Sequence, residues 1–123
     1  SPHSGRILIA DDDAVNRRVI TKMLEHLGYE TLATVDGLEA VEHSQDEPWA
    51  LILMDVQMPR MDGIEATRRI RAQPSTAHIP IIAFTASVMA EERDQYLAAG
   101  FHDVISKPIR QSELKTCLQQ WMR

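Results

Sequence analysis

The chain has 123 residues, 13 basic against 18 acidic side chains, and a net charge of −5 with its histidines neutral. That length suits one domain with its own hydrophobic core, and the acidic balance argues against non-specific nucleic-acid binding, which needs a basic surface. A single cysteine, Cys117, excludes an internal disulfide, and no apolar run approaches the ~20 residues that cross a bilayer.

Ser1 to Gly5 resembles neither a signal peptide nor an anchor and reads as a linker or cloning remnant before one domain over 6–123. Beyond it, apolar runs of strand length alternate with amphipathic stretches of helix length. Ile7-Leu8-Ile9-Ala10 is a continuous apolar run, as in a strand covered on both faces. Asp13 is placed to cap a helix over 14–27, with Val15, Val19, Ile20, Met23, Leu24 and Leu27 at helical spacing and Gly28 as its stop. A weaker strand, 31–35, leads into an Asp36-Gly37 turn and a short helix over 38–45.

Leu51-Ile52-Leu53-Met54 is a third strand, ending in Asp55. Asp62 then caps a helix from Gly63 to Arg71, with Glu65 as its capping-box partner. On that helix Arg68, Arg69 and Arg71 read as a solvated face. A fourth strand is expected over 79–84, with Pro80 near its start, where a missing N–H is tolerated. Ser87 is expected to cap a helix ending near Gly100. Val104-Ile105 is a short fifth strand, and residues 111–122 form a last helix with Leu114, Leu118 and Trp121 on one face. Cys117 lies in that pattern as a packed thiol. Five βα units imply a parallel sheet covered on both sides, in the flavodoxin-like order 2-1-3-4-5, with ligands beyond the carboxyl ends of the strands.

Asp11, Asp12 and Asp13 follow the first strand, Asp36 the second, Asp55 ends the third, Thr85 follows the fourth and Lys107 the fifth. Clustered carboxylates repel one another and need a cation, and a sparse oxygen site favours Mg²⁺. An ionised Asp is a nucleophile that forms aspartyl-phosphates. Attack on phosphorus brings anions together, so a cation, a Lys ammonium and a Thr hydroxyl are the parts it needs. Taken singly, each residue has a plain structural reading as cap, turn or surface charge. Five histidines are scattered without zinc-ligand spacing.

The motifs Ile7-Leu8-Ile9-Ala10-Asp11-Asp12-Asp13, Leu53-Met54-Asp55-Val56-Gln57-Met58-Pro59, Met61-Asp62-Gly63, Phe84-Thr85-Ala86 and Ser106-Lys107-Pro108 resemble those of receiver domains of two-component response regulators, from Arg6 to about Trp121. The stretch from Asp13 to Arg17, together with Met58 to Gly63, is similar to receivers of hybrid sensor histidine kinases. The resemblance implies that Asp55 accepts the phosphoryl group. It implies that Asp12, Asp55 and the Gln57 carbonyl hold Mg²⁺ directly, and that Asp11 acts on it through water. Thr85 and Lys107 would hold the phosphoryl oxygens, while Asp13 reads as a helix cap.

The implied partner is a sensor histidine kinase or histidine phosphotransfer protein. The implied output is a changed surface over the fourth helix, fifth strand and fifth helix. Such a domain catalyses its own phosphorylation and dephosphorylation, and Gln57 and Ser87 stand where the family tunes the latter. A reducing, cytoplasmic setting fits, including the cytoplasmic part of a membrane-bound sensor kinase, with no direct contact to nucleic acid or membrane. The chain has no room for a kinase or DNA-binding domain and reads as an excised or stand-alone receiver. Val104 departs from the family: many members carry an aromatic residue there that turns inward on activation.

Two rival readings remain. Asp11-x-Asp13-x-Val15 is similar to the first motif of haloacid-dehalogenase-like phosphatases, with Asp11 as nucleophile and Asp13 as acid/base. That family needs a further acidic pair after its Lys, and only Glu113 follows Lys107. The other rival is a receiver-like interaction module that never takes phosphate.

Overall fold

The computed structural model describes residues 5–86 and 89–122. Its elements alternate as β1 (Arg6–Ala10), α1 (Ala14–His26), β2 (Glu30–Thr34), α2 (Gly37–Ser44), β3 (Leu51–Asp55), α3 (Gly63–Ala72), β4 (Ile81–Thr85), α4 (Ala90–Ala99), β5 (Asp103–Ser106) and α5 (Gln111–Trp121). The five strands are parallel in the order β2-β1-β3-β4-β5, as the alternation implied. Strands β3 and β4 carry unbroken apolar runs and are buried throughout, while β2 lies at an edge and is mostly half exposed.

Strand residues alternate between faces, and the core divides accordingly. Ile7, Ile9, Leu51, Leu53, Ile82, Phe84 and Ile105 pack against α1 and α5 through Ile20, Leu24, Leu114, Cys117 and Leu118. Leu8, Ile52, Met54, Ile81 and Val104 pack on the other face against Ala40, Ala66, Ile70 and Tyr96 of α2, α3 and α4. Truncating a fully buried residue such as Leu24 to Ala would cost about 2–5 kcal/mol. The Cys117 thiol is buried, as expected, and burial pushes it up to about 12, with Asp103 adding to the rise.

Several local signals hold. Asp13 caps α1 by accepting the Val15 and Asn16 N–H groups, and Gly28 follows that helix at φ 97°, a left-handed conformation suited to glycine. Other details differ. Ile79 and Pro80 precede β4 rather than joining it, although the Pro80 carbonyl still accepts the Ile52 N–H at 2.9 Å. Val15 and Val19, expected on the core stripe of α1, are 70% and 44% exposed, because the helix turns its Ile20–Leu24 flank to the core instead. Asp36 is the N-cap of α2 rather than a turn residue, which the Asp36-x-x-Glu39 spacing signals.

Asp62 caps α3 through the Glu65 N–H, but the Glu65 carboxylate turns to Arg69 instead of closing a capping box. Arg71 is not solvated like Arg68. It reaches under the α4–β5 turn to donate to the carbonyls of Gly100, Ala77 and Ile79 and to His102 Nδ1. Helix α4 has Met89 at its N-cap, and Ser87, expected there, lies outside the described residues. Among the described residues no helix is long and apolar enough to cross a membrane.

Candidate functional site

Register brings the expected residues together. Ala10 pairs with Met54, Asp55 with Phe84, and Thr85 with Ser106. Asp11, Asp55, Thr85 and Lys107, at or one step past these ends, therefore stand in a row. A cleft of about 570 Å³ opens over them, lined by Asp12, Asp55, Gln57, Thr85 and Lys107. Asp36 is absent from that lining: it faces Arg60 at the neighbouring loop, with Arg60 Nε 2.6 Å from its Oδ2.

One carboxylate oxygen from each of Asp11, Asp12 and Asp55 lies within 4.8 Å of the other two. Asp55 is 3% exposed and Asp11 fully buried, while Asp12 faces solvent. Lys107 Nζ donates to Asp55 Oδ2 at 2.9 Å, and the Gln57 N–H to Asp55 Oδ1 at 3.2 Å. The Lys107 ammonium also sits 5.3 Å from the centre of the Phe84 ring. Its backbone N–H donates to the Thr85 carbonyl at 2.8 Å, which ties the segments after β4 and β5 together. The Lys107–Pro108 peptide is cis.

Asp11 is the strained member of the cluster. Its Oδ1 accepts the Asp13 N–H at 2.9 Å, but its Oδ2 is buried and, among the described residues, unpartnered. Burial pushes this carboxyl up to about 6; the Asp55 carboxylate adds to the rise, and the Asp13 N–H and Lys107 oppose it. The Lys107 ammonium is thus hydrogen-bonded to one of three clustered carboxylates. A donor set of oxygens, one of them buried and unpaired, fits a hard divalent cation such as Mg²⁺.

The segment from β3 to α3 is held close to Asp55. The Gly63 N–H donates to the Val56 carbonyl at 2.8 Å, and a Cβ on Gly63 would run into the Asp55 carbonyl oxygen, so only glycine allows this approach. Sequence reasoning gave no role to Asn16, Met58 or Pro59, all of which line the cleft, nor to Arg60. Asn16 could have been found, since it lies in the first turn of the helix that Asp13 caps, directly after the strand-end acids. Nothing in local spacing pairs Arg60 with Asp36, 24 residues away.

This fold and cleft match a known family: the profile of the response regulator receiver domain matches residues 7–119, and the chain belongs to that family. Its relatives include sensor histidine kinase GacS of Pseudomonas protegens, 39% identical over 98% of this chain, and sensor protein EvgS of Escherichia coli, 39% identical over 97%. The chain spans only 14% and 10% of those two proteins. Among solved structures it resembles the receiver domain of sensor histidine kinase PA1611 from Pseudomonas aeruginosa, described with a magnesium ion coordinated in its active-site cleft. That likeness has a TM-score of 0.90 and 40% identity, covering 97% of this chain and 98% of the other. Receiver membership replaces the phosphatase reading of Asp11 and Asp13. In this chain Asp11 is buried, and the Asp13 carboxylate is engaged as a helix cap.

Proposed function

We propose that this domain takes a phosphoryl group from a phosphohistidine on a partner protein onto Asp55, with Mg²⁺ held by Asp11, Asp12, Asp55 and the Gln57 carbonyl. The observation that carries this reading is the Lys107–Asp55 contact at 2.9 Å inside a cluster of three carboxylates. The cation's contribution is to neutralise charge on the carboxylates and on the incoming phosphoryl group. An Asp55 oxygen forms the new O–P bond as the P–N bond breaks. The imidazole takes the electron pair and leaves neutral if its other nitrogen carries the proton. Lys107 exchanges its bond to Asp55 Oδ2 for one to a phosphoryl oxygen, and the Thr85 hydroxyl donates to another.

The donor's route is suggested by what borders the cleft. Val15 and Val19 are exposed, and Val19, Pro108 and Ile109 form an apolar groove beside Lys107, on which a helix bearing the phosphohistidine can rest. A sensor histidine kinase or a histidine phosphotransfer protein supplies such a residue. Phosphorylation adds about −1.5 to −2 charge and three acceptor oxygens. Because the Lys107 N–H is bonded to the Thr85 carbonyl, drawing both residues inward moves the segments that lead into α4 and α5. Val104 is buried beneath α4, so the change at the α4–β5–α5 surface proceeds without an aromatic rotation.

The test is incubation with a small-molecule phosphodonor and Mg²⁺, followed by intact-mass analysis. One phosphoryl group is expected on the parent and none on Asp55→Asn, and amide signals after β4 and β5 should shift in the labelled parent. Full labelling of the Asn variant would sink the assignment. A parent that takes no label, with its phosphorylated partner as well as with the small donor, is an interaction module instead.

A further inference from the structure

The segment between β3 and α3 is held at its base by the Gly63 N–H on the Val56 carbonyl. Its outer part is held by two bonds to the start of α2. The Gly37 N–H donates to the Met61 carbonyl at 3.0 Å, and Arg60 Nε donates to Asp36 Oδ2 at 2.6 Å. A Cβ on Gly37 would meet the Met61 carbonyl oxygen, so the two segments touch backbone to backbone. Arg60 itself has φ 64°, a left-handed backbone that non-glycine residues seldom adopt and that persists where surroundings over-determine it.

Asp36 is built as an anchor. Its side chain is 3% exposed, and its two oxygens are divided between the Arg60 guanidinium and the Glu39 N–H at the α2 N-terminus. Burial works against its charge, but the Arg60 and backbone hydrogen bonds outweigh it and hold the carboxyl below its ordinary value. The same short segment carries Gln57, whose N–H already rests on Asp55 Oδ1 and whose carbonyl is the one backbone ligand in the reading above.

We infer that Arg60, braced on Asp36, is a positioning residue that holds the β3–α3 segment, and with it the Gln57 carbonyl, against the cation side of the Asp55 site. This rests on the proposed metal reading. Arg60 points away from the cleft to a carboxylate that does not line it, so its effect reaches the metal only through the segment's backbone. Groups that orient metal ligands from behind typically change affinity 10–100-fold when removed. A brace acting on one backbone ligand belongs at the lower end.

The probe is Mn²⁺, titrated into the full chain with free ion measured by electron paramagnetic resonance, so that no phosphorylation is required. Arg60→Asn tolerates the left-handed backbone but is too short to repeat the bond. It is expected to weaken Mn²⁺ binding roughly 10-fold. Arg60→Lys, which restores a charge of similar reach, should recover most of it. Asp36→Asn keeps an oxygen for the Glu39 N–H and should weaken binding as Arg60→Asn does. The double variant should be no worse than either single one, the signature of one shared interaction. Thermal melts run beside each titration separate a loosened site from a loosened fold. If the parent binds Mn²⁺ and Arg60→Asn binds it equally well, the brace is wrong and the metal reading stands. A parent that binds none overturns both. Additive losses in the double variant also overturn the brace.

Discussion

The acid cluster at the carboxyl end of the sheet and the Arg71 cluster at its amino end treat their charged groups in opposite ways. At the carboxyl end, Asp11, Asp12 and Asp55 are crowded together, one buried oxygen has no partner among the described residues, and the Lys107 ammonium bonds to Asp55 alone of the three. At the amino end Arg6 Nε is also buried without a hydrogen bond among the described residues, but around the starts of β4 and β5 polar groups are matched. Arg71 donates to three carbonyls and to His102, while Asp103 accepts from Arg93 and from the indole of Trp121. The His102 ring packs edge-on against Trp121 at 5.4 Å. Unmatched polarity costs stability, and at Asp11 it lies where a ligand would relieve it; matched polarity serves as a fastener.

The contrast should break most visibly at Arg71. Arg71→Met keeps the aliphatic stem but strips hydrogen bonds from three carbonyls, and about 2–3 kcal/mol of stability should be lost in urea unfolding at neutral pH. Substitution at the other end should have the opposite sign. Asp11→Asn removes a repelling, partly unpaired carboxylate and should raise stability by about 1–2 kcal/mol in EDTA, while weakening Mg²⁺ binding. A loss of stability in EDTA would mean that the cleft is not strained.

The smallest effect concerns pH. Burial, and then the Arg71 guanidinium, hold the His102 imidazole below its usual 6.5, so the unfolded chain binds the proton more readily. Its contribution to stability is full above pH 6.5 and is lost as pH falls toward and through the folded value. His102→Gln, whose amide oxygen can still accept from Arg71, should flatten that slope between pH 7 and 5. An unchanged slope would show that His102 is no part of the fastener's pH response.

Much of this was readable in the chain because the alternation of strand and helix periods is a local property. The same is true of the strand-end acids, Thr85 and Lys107, since a doubly wound sheet brings its carboxyl ends to one edge whatever the intervening sequence. Long-range geometry was not readable. Spacing puts Val15 and Val19 on the same stripe as Ile20 and Leu24, but α1 buries the Ile20–Leu24 flank and leaves the Val15–Val19 flank exposed. Arg71 looks like its neighbours Arg68 and Arg69 until the α4–β5 turn folds over it. The Arg60–Asp36 pair depends on two loops meeting, and neither loop announces the other.

The division of the core has a consequence for how a message could cross the domain. Among the described residues the α1/α5 side and the α2/α3/α4 side form separate apolar clusters with β3 and β4 buried between them, and they meet through the strands and, at the amino end, through Trp121, His102 and Arg71. The sheet acts as a party wall: repacking on one side reaches the other through a strand or around its edge at His102. Asp55, Thr85 and Lys107 sit at three strand ends. On the proposed reading, a partner seated on α1 therefore rests on a different apolar cluster from the one that underlies α4.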